Sequence, residues 1–136
     1  MIGIDDKKRE LVRQIAQKYN LRLFVLFGSQ VTGQTHKESD FDFGYIADRD
    51  LSLDEEGRLI GEIMPLAEIK DERMVNLVSL KKTSPLLFYS ALNNSQLIYE
   101  EEEGALADLQ AYAFKVYVET LPLFRLKAER LGVTLK

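Results

Sequence analysis

The chain has 136 residues, 46% hydrophobic and 29% charged, with eight glycines and three prolines: enough apolar material for a packed core and little that reads as disordered. Its net charge of −4 argues against a protein that holds nucleic acid by neutralising phosphates, though not against a nucleotide whose charge is carried by metal ions. Without cysteine it has no disulfide or thiolate metal site. The start, "MIGIDDKKRELVRQ", is charged too early for a signal peptide, and no apolar run nears the roughly 20 residues of a membrane helix. The expectation is one cytoplasmic domain over 1–136, with a core over about 5–100 and helices over about 104–132.

Residues Asp5 to Tyr19 have the spacing of an amphipathic helix. Leu11, Val12, Ile15, Ala16 and Tyr19 fall on one face, charged residues on the other, and Asn20 marks a stop. "RLFVLF", Arg22 to Phe27, is a nearly continuous apolar run of strand length, as expected of a strand covered on both faces, and Gly28-Ser29 ends it. A second strand starts near Asp40, with Phe41, Phe43 and Tyr45 pointing one way and Asp40, Asp42, Gly44 and Ile46 the other. Cap-type residues then precede a helix whose stripe is Leu59, Ile60, Ile63, Met64 and Leu66, with Pro65 near its end. "RMVNLVSL", Arg73 to Leu80, reads as a third strand.

"TSPLLFYSAL" reads as a short helix capped by Thr83 or Ser84 with Pro85 in its first turn. "QLIYEEE" reads as a short edge strand, and Glu101 to Glu103 as a solvated acidic turn. From Gly104 onward the pattern is helical, with Leu106, Leu109, Tyr112, Ala113, Val116 and Tyr117 as the buried side and Pro122 kinking or dividing the helix. Tyr112, Phe114, Tyr117 and Phe124 occupy more than one face. Core packing accounts for Tyr112, and the surplus reads as a contact surface for another chain. The whole is an α/β (α+β) domain: a small mixed sheet flanked by helices, with a C-terminal helical segment.

Asp40 and Asp42, two apart on a strand, project from one face, a costly pairing of like charges unless a cation lies between them. Phosphoryl-transfer sites supply that cation as Mg²⁺, often two ions about 3.5–4 Å apart, held by hard oxygen ligands. Gly28 allows close backbone approach to a phosphate, and Ser29 adds a hydroxyl donor. An apolar strand, Gly-Ser, a spacer and Asp-x-Asp on the next strand form a far more specific signal together than any of them alone.

The stretch "FGSQVTGQTHKESDFDFGY" resembles the nucleotidyltransferases of the DNA polymerase beta-like superfamily, and with the chain's size it resembles the minimal nucleotidyltransferases paired with HEPN toxins. The resemblance is firm from Leu23 to Ile46 and looser through "VNLVSLKKTSPLLFYSAL" and "LIYEE". It implies transfer of AMP from Mg²⁺-ATP to a hydroxyl, a tyrosine of the HEPN partner, which silences that partner's RNase activity. Gly28 and Ser29 would grip the triphosphate and Asp40 and Asp42 would hold the metals. Ser39, just before the pair, would add a ligand or position the loop, with turn capping as the plainer role. The implied partner is the toxin, in a hetero-oligomer, with neither nucleic acid nor membrane.

One position departs from the family pattern. A third carboxylate is usual on the following strand, where this chain has Val75-Asn76-Leu77-Val78. Asn76 offers a carbonyl oxygen but no charge and no base. On a regular strand Glu72 would share its face, about 13 Å away and too far to replace it. Asn76→Asp is therefore expected to raise activity. The alternative is a weakened or inactive transferase that neutralises its toxin by binding alone. Transfer to a small hydroxylated molecule such as an aminoglycoside ranks last, since the chain has little room for an acceptor-binding domain. His36 reads as an exposed loop residue. Lys37, Lys81 and Lys82 read as surface lysines, with screening of triphosphate charge as the sharper role.

Overall fold

The computed structural model describes residues 2–28 and 41–132. Helix α1, Asp6–Lys18, starts where the Asp5 side chain accepts the Lys8 N–H. It ends through Tyr19 into Asn20, whose φ of 57° lies in the left-handed region that asparagine tolerates. Strands β1, Leu21–Phe27, and β2, Phe41–Ala47, are followed by α2, Leu53–Leu66, and β3, Val75–Ser79. Helix α3, Pro85–Asn93, strand β4, Ser95–Glu100, and helix α4, Ala105–Arg130, complete the fold.

The sheet order is β3-β2-β1-β4, antiparallel except for the parallel β2–β3 pair, so β4 is an edge strand as its sequence reads. The apolar run of β1 is covered on both faces. Phe24 and Leu26 join Phe43 and Tyr45 beneath Val12 and Ala16 of α1 and Leu59 and Ile63 of α2. Phe24 and Phe43 stack with ring centroids 5.2 Å apart. Leu23 and Val25 face the other way, with Ile46, against Ala91 and Leu92 of α3 and Ala113 of α4. Burying both faces of the central strand fixes its height, and with it the end of the sheet where Phe27 and Asp42 are paired.

Helix α2 opens with a reciprocal cap between Ser52 and Glu55. Helix α3 has Ser84 as its cap and Pro85 at its first position. At the start of α4 the Glu100 carboxylate accepts the Gly104 and Leu106 N–H groups at 3.1 and 3.0 Å. This joins β4 to the long helix through otherwise orphaned donors.

Four expectations are corrected. The third strand is shorter than Arg73 to Leu80. Asp71 binds the Arg73 N–H, a 3₁₀ turn forms over Glu72–Met74, and a second turn takes Leu80–Lys82. Pro122 does not divide the last helix, which runs unbroken through it. Tyr112 is 60% exposed instead of core, because the α4 stripe facing the sheet is centred on Ala113. Leu11 is 39% exposed, at the margin of the α1 face that buries Val12 and Ala16.

Gly44 lies within β2, where the Leu80 side chain presses against its Cα. A Cβ there would stand 2.9 Å from Leu80 Cδ2, and Leu80 is only 1% exposed and has nowhere to go. Gly44→Ala is expected to destabilise the fold by about 1–3 kcal/mol in chemical denaturation. A neutral result would mean that Leu80 repacks freely.

Candidate active site

Because β2 and β3 run parallel while β1 opposes them, the C-terminal end of β1 and the N-terminal ends of β2 and β3 meet at one end of the sheet. Phe27 is the register partner of Asp42, and Asp42 that of Asn76. Asp42 therefore sits between the Gly28 turn and Asn76. Asn76 Nδ2 donates to Asp42 Oδ1 at 3.0 Å. Asp42 is half-buried and Asn76 exposed, so this end of the sheet opens to solvent while α3 and α4 cover the rest of that face.

Gly28 is the tightest element of the site. Its φ is 81°, and a Cβ on it would come within 2.5 Å of Asp42 Oδ2. Only glycine gives that conformation and that approach together, so its backbone forms the wall behind the carboxylate. Gly28→Ala should lower the nucleotidyl transfer that the sequence resemblance implies at least about tenfold and stability by about 1–2 kcal/mol, read by initial rates and thermal melting. Unchanged rates would remove Gly28 from the site.

The opposite face of β2 is structural. The Tyr45 hydroxyl donates to Glu56 Oε2 at 2.8 Å, tying the strand to α2. Burial, and then that carboxylate, push the phenol up to about 12, so it remains protonated at neutral pH.

Of the residues singled out in the sequence, the structure brings together Gly28, Asp42 and Asn76. Ser29, His36, Lys37, Ser39 and Asp40 lie outside the described residues, as does the side chain of Phe124. Lys81 does not belong here. Its Nζ donates to the Ala47 carbonyl at 2.5 Å, at the far end of β2, which places it about 17 Å along the strand from Asp42 and removes it from any triphosphate at that end. Nor does either nearby acid stand in for a third carboxylate: Asp71 is engaged by Arg73 and Glu72 lies in the turn before β3. The close contact of Gly44 with Leu80 escaped the sequence reading, although a glycine inside a strand is the signal for one.

Residues 10–104 match the family model "Polymerase beta, Nucleotidyltransferase". The chain belongs to this family. Among solved structures, this nucleotidyltransferase is similar to a chain in a toxin–antitoxin complex with AMP-PNP, at 16% identity and TM-score 0.71, covering 92% of this chain and 98% of that one. It is also similar to a chain in the complex of tri-AMPylated Shewanella oneidensis HEPN toxin with MNT antitoxin, at 14% identity and TM-score 0.65, covering 92% and 96%. A chain of the MntA–HepT toxin–antitoxin structure matches at 14% identity and TM-score 0.65, covering 95% and 100%. At these identities the likeness is one of fold. No curated protein shows significant similarity to this nucleotidyltransferase. Among the described residues no helix is long and apolar enough to cross a membrane.

Proposed function

We propose that this nucleotidyltransferase is the antitoxin of a HEPN RNase toxin and silences it by transferring AMP from Mg²⁺-ATP to a tyrosine hydroxyl. The observation that carries this reading is the Gly28 backbone set against the Asp42 carboxylate at the open end of the sheet in a nucleotidyltransferase. The fold shared with chains of toxin–antitoxin complexes, one with AMP-PNP and one with a tri-AMPylated HEPN toxin, supports the partner and the chemistry.

The donor set fits Mg²⁺ in kind. Asp42 offers hard carboxylate oxygen and Asn76 an amide oxygen, and Asp40 belongs to the proposed set through its place in the Asp-x-Asp motif. When bound, the ions would neutralise triphosphate charge and polarise the transferring phosphorus. Gly28, with Ser29 and Ser39, would bind the phosphates. The acceptor oxygen bonds to the α-phosphorus, the bond to the β-phosphate bridging oxygen breaks, and pyrophosphate leaves. The hydroxyl proton goes to a carboxylate of the Asp40–Asp42 pair, since the Asn76 amide is no base.

Asn76 favours a second reading, in which the chain neutralises the toxin by occupancy alone. Label transfer from α-labelled ATP, with Mg²⁺, to a HEPN RNase toxin that binds this chain tests both. Labelled toxin supports transfer. A stable, unlabelled complex in which the toxin's RNase is blocked overturns transfer in favour of occupancy.

A further inference from the structure

Helix α4 carries a pattern that the core does not use. Tyr112, Val116, Glu119, Leu123, Leu126 and Arg130 recur at alternating spacings of four and three residues, the period of a two-helix seam. Tyr112, Leu123 and Leu126 are 60%, 66% and 46% exposed. Tyr112 and Val116 line a groove of about 380 Å³ between α3 and α4, and the two leucines carry the stripe beyond it. The helix has 26 residues, about 39 Å, yet the residues it packs against Leu23 and Val25, namely Leu106, Leu109 and Ala113, all lie in its N-terminal half. Glu119 and Arg130 carry opposite charges within the seam, and among the described residues neither has an ionic partner.

We infer that this face pairs with the same face of a second copy of the chain, antiparallel, about a two-fold axis crossing α4 between positions 124 and 125. That axis sets Leu123 against Leu126 of the second copy and Glu119 against its Arg130; the two helices overlap from Glu119 to Arg130, so Tyr112 and Val116 lie outside the contact. Symmetry makes each contact twice. The charges select this arrangement: a parallel pairing would oppose Glu119 to Glu119 and Arg130 to Arg130. Because the contact is isologous it closes at the dimer. The inference is independent of the proposed transfer, and its readout uses neither ATP nor toxin.

Sedimentation equilibrium of the full chain at concentrations up to about 100 µM should give a monomer–dimer equilibrium. E119R and R130E should each weaken dimerisation about tenfold, through like charges met twice, and the E119R/R130E double variant should restore it. Both positions of change are exposed, and circular dichroism checks that the fold is kept. A chain that stays monomeric at that concentration overturns the inference, as does a dimer insensitive to the single swaps. So does a monomer in which L123E/L126E abolishes binding of the toxin, since the seam would then belong to that partner.

Discussion

Asp42→Asn is expected to lower the proposed AMP transfer about a thousandfold while leaving the thermal midpoint almost unchanged. The two halves of this result have separate causes. Asp42 is held by strand pairing on both sides, to Phe27 and to Asn76, and its carboxylate accepts the Asn76 amide at 3.0 Å. An asparagine in its place has the same shape and still presents a carbonyl oxygen to that donor, so the fold has little reason to change. What it lacks is the negative charge that the proposed metal binding needs and the basicity to take the acceptor's proton. Label transfer to the toxin, alongside a melting curve, separates these effects. A variant that transfers AMP at the parental rate would show that Asp42 holds neither metal nor proton. A variant that melts early would say nothing against the site, but it would show that strand pairing alone does not hold this end of the sheet.

Asn76→Asp is expected to raise transfer at least about tenfold and to make stability depend on Mg²⁺. In the parent, the Asn76 amide donates to Asp42 and occupies one carboxylate oxygen. The substitution replaces that donor by a second carboxylate at the same separation. Without a divalent ion the like charges cost about 1–2 kcal/mol unless one of the pair holds a proton. A carboxylate whose affinity for protons rises on folding stabilises the protein at low pH, and that stability fades as pH rises through its range. Without metal, the deficit in melting temperature of the variant relative to the parent should therefore shrink as pH falls through the carboxylate range, and Mg²⁺ at neutral pH should raise its melting temperature more than it raises the parent's. Rates equal to or below the parent's would refute the idea that Asn76 limits this enzyme. An Mg²⁺ response no larger than the parent's would refute the proposed shared site.

The local elements of this protein are legible in the sequence because their causes are local. The nearly continuous apolar run from Arg22 to Phe27 predicts a strand buried on both faces, and β1, Leu21–Phe27, is one. Asp5, Ser52 and Ser84 mark helix starts because a side-chain oxygen beside unpaired N–H groups works wherever the chain goes next. The Gly28 turn and the face shared by Asp42, Gly44 and Ile46 follow from the same short-range rules. The tertiary structure alone decided how these pieces meet. That Asn76 lies against Asp42 depends on a parallel pairing between strands more than thirty residues apart, which no local period encodes. That Lys81 reaches Ala47, away from the open end, depends on where β3 stops and the 3₁₀ turn begins. Helix α4 shows the limit most plainly. It carries more than one apolar stripe, and periodicity marks each without saying which the sheet will cover. The sheet covers the one through Ala113 and leaves Tyr112, Leu123 and Leu126 outside, because burial is settled by the surface a helix meets and not by its own sequence.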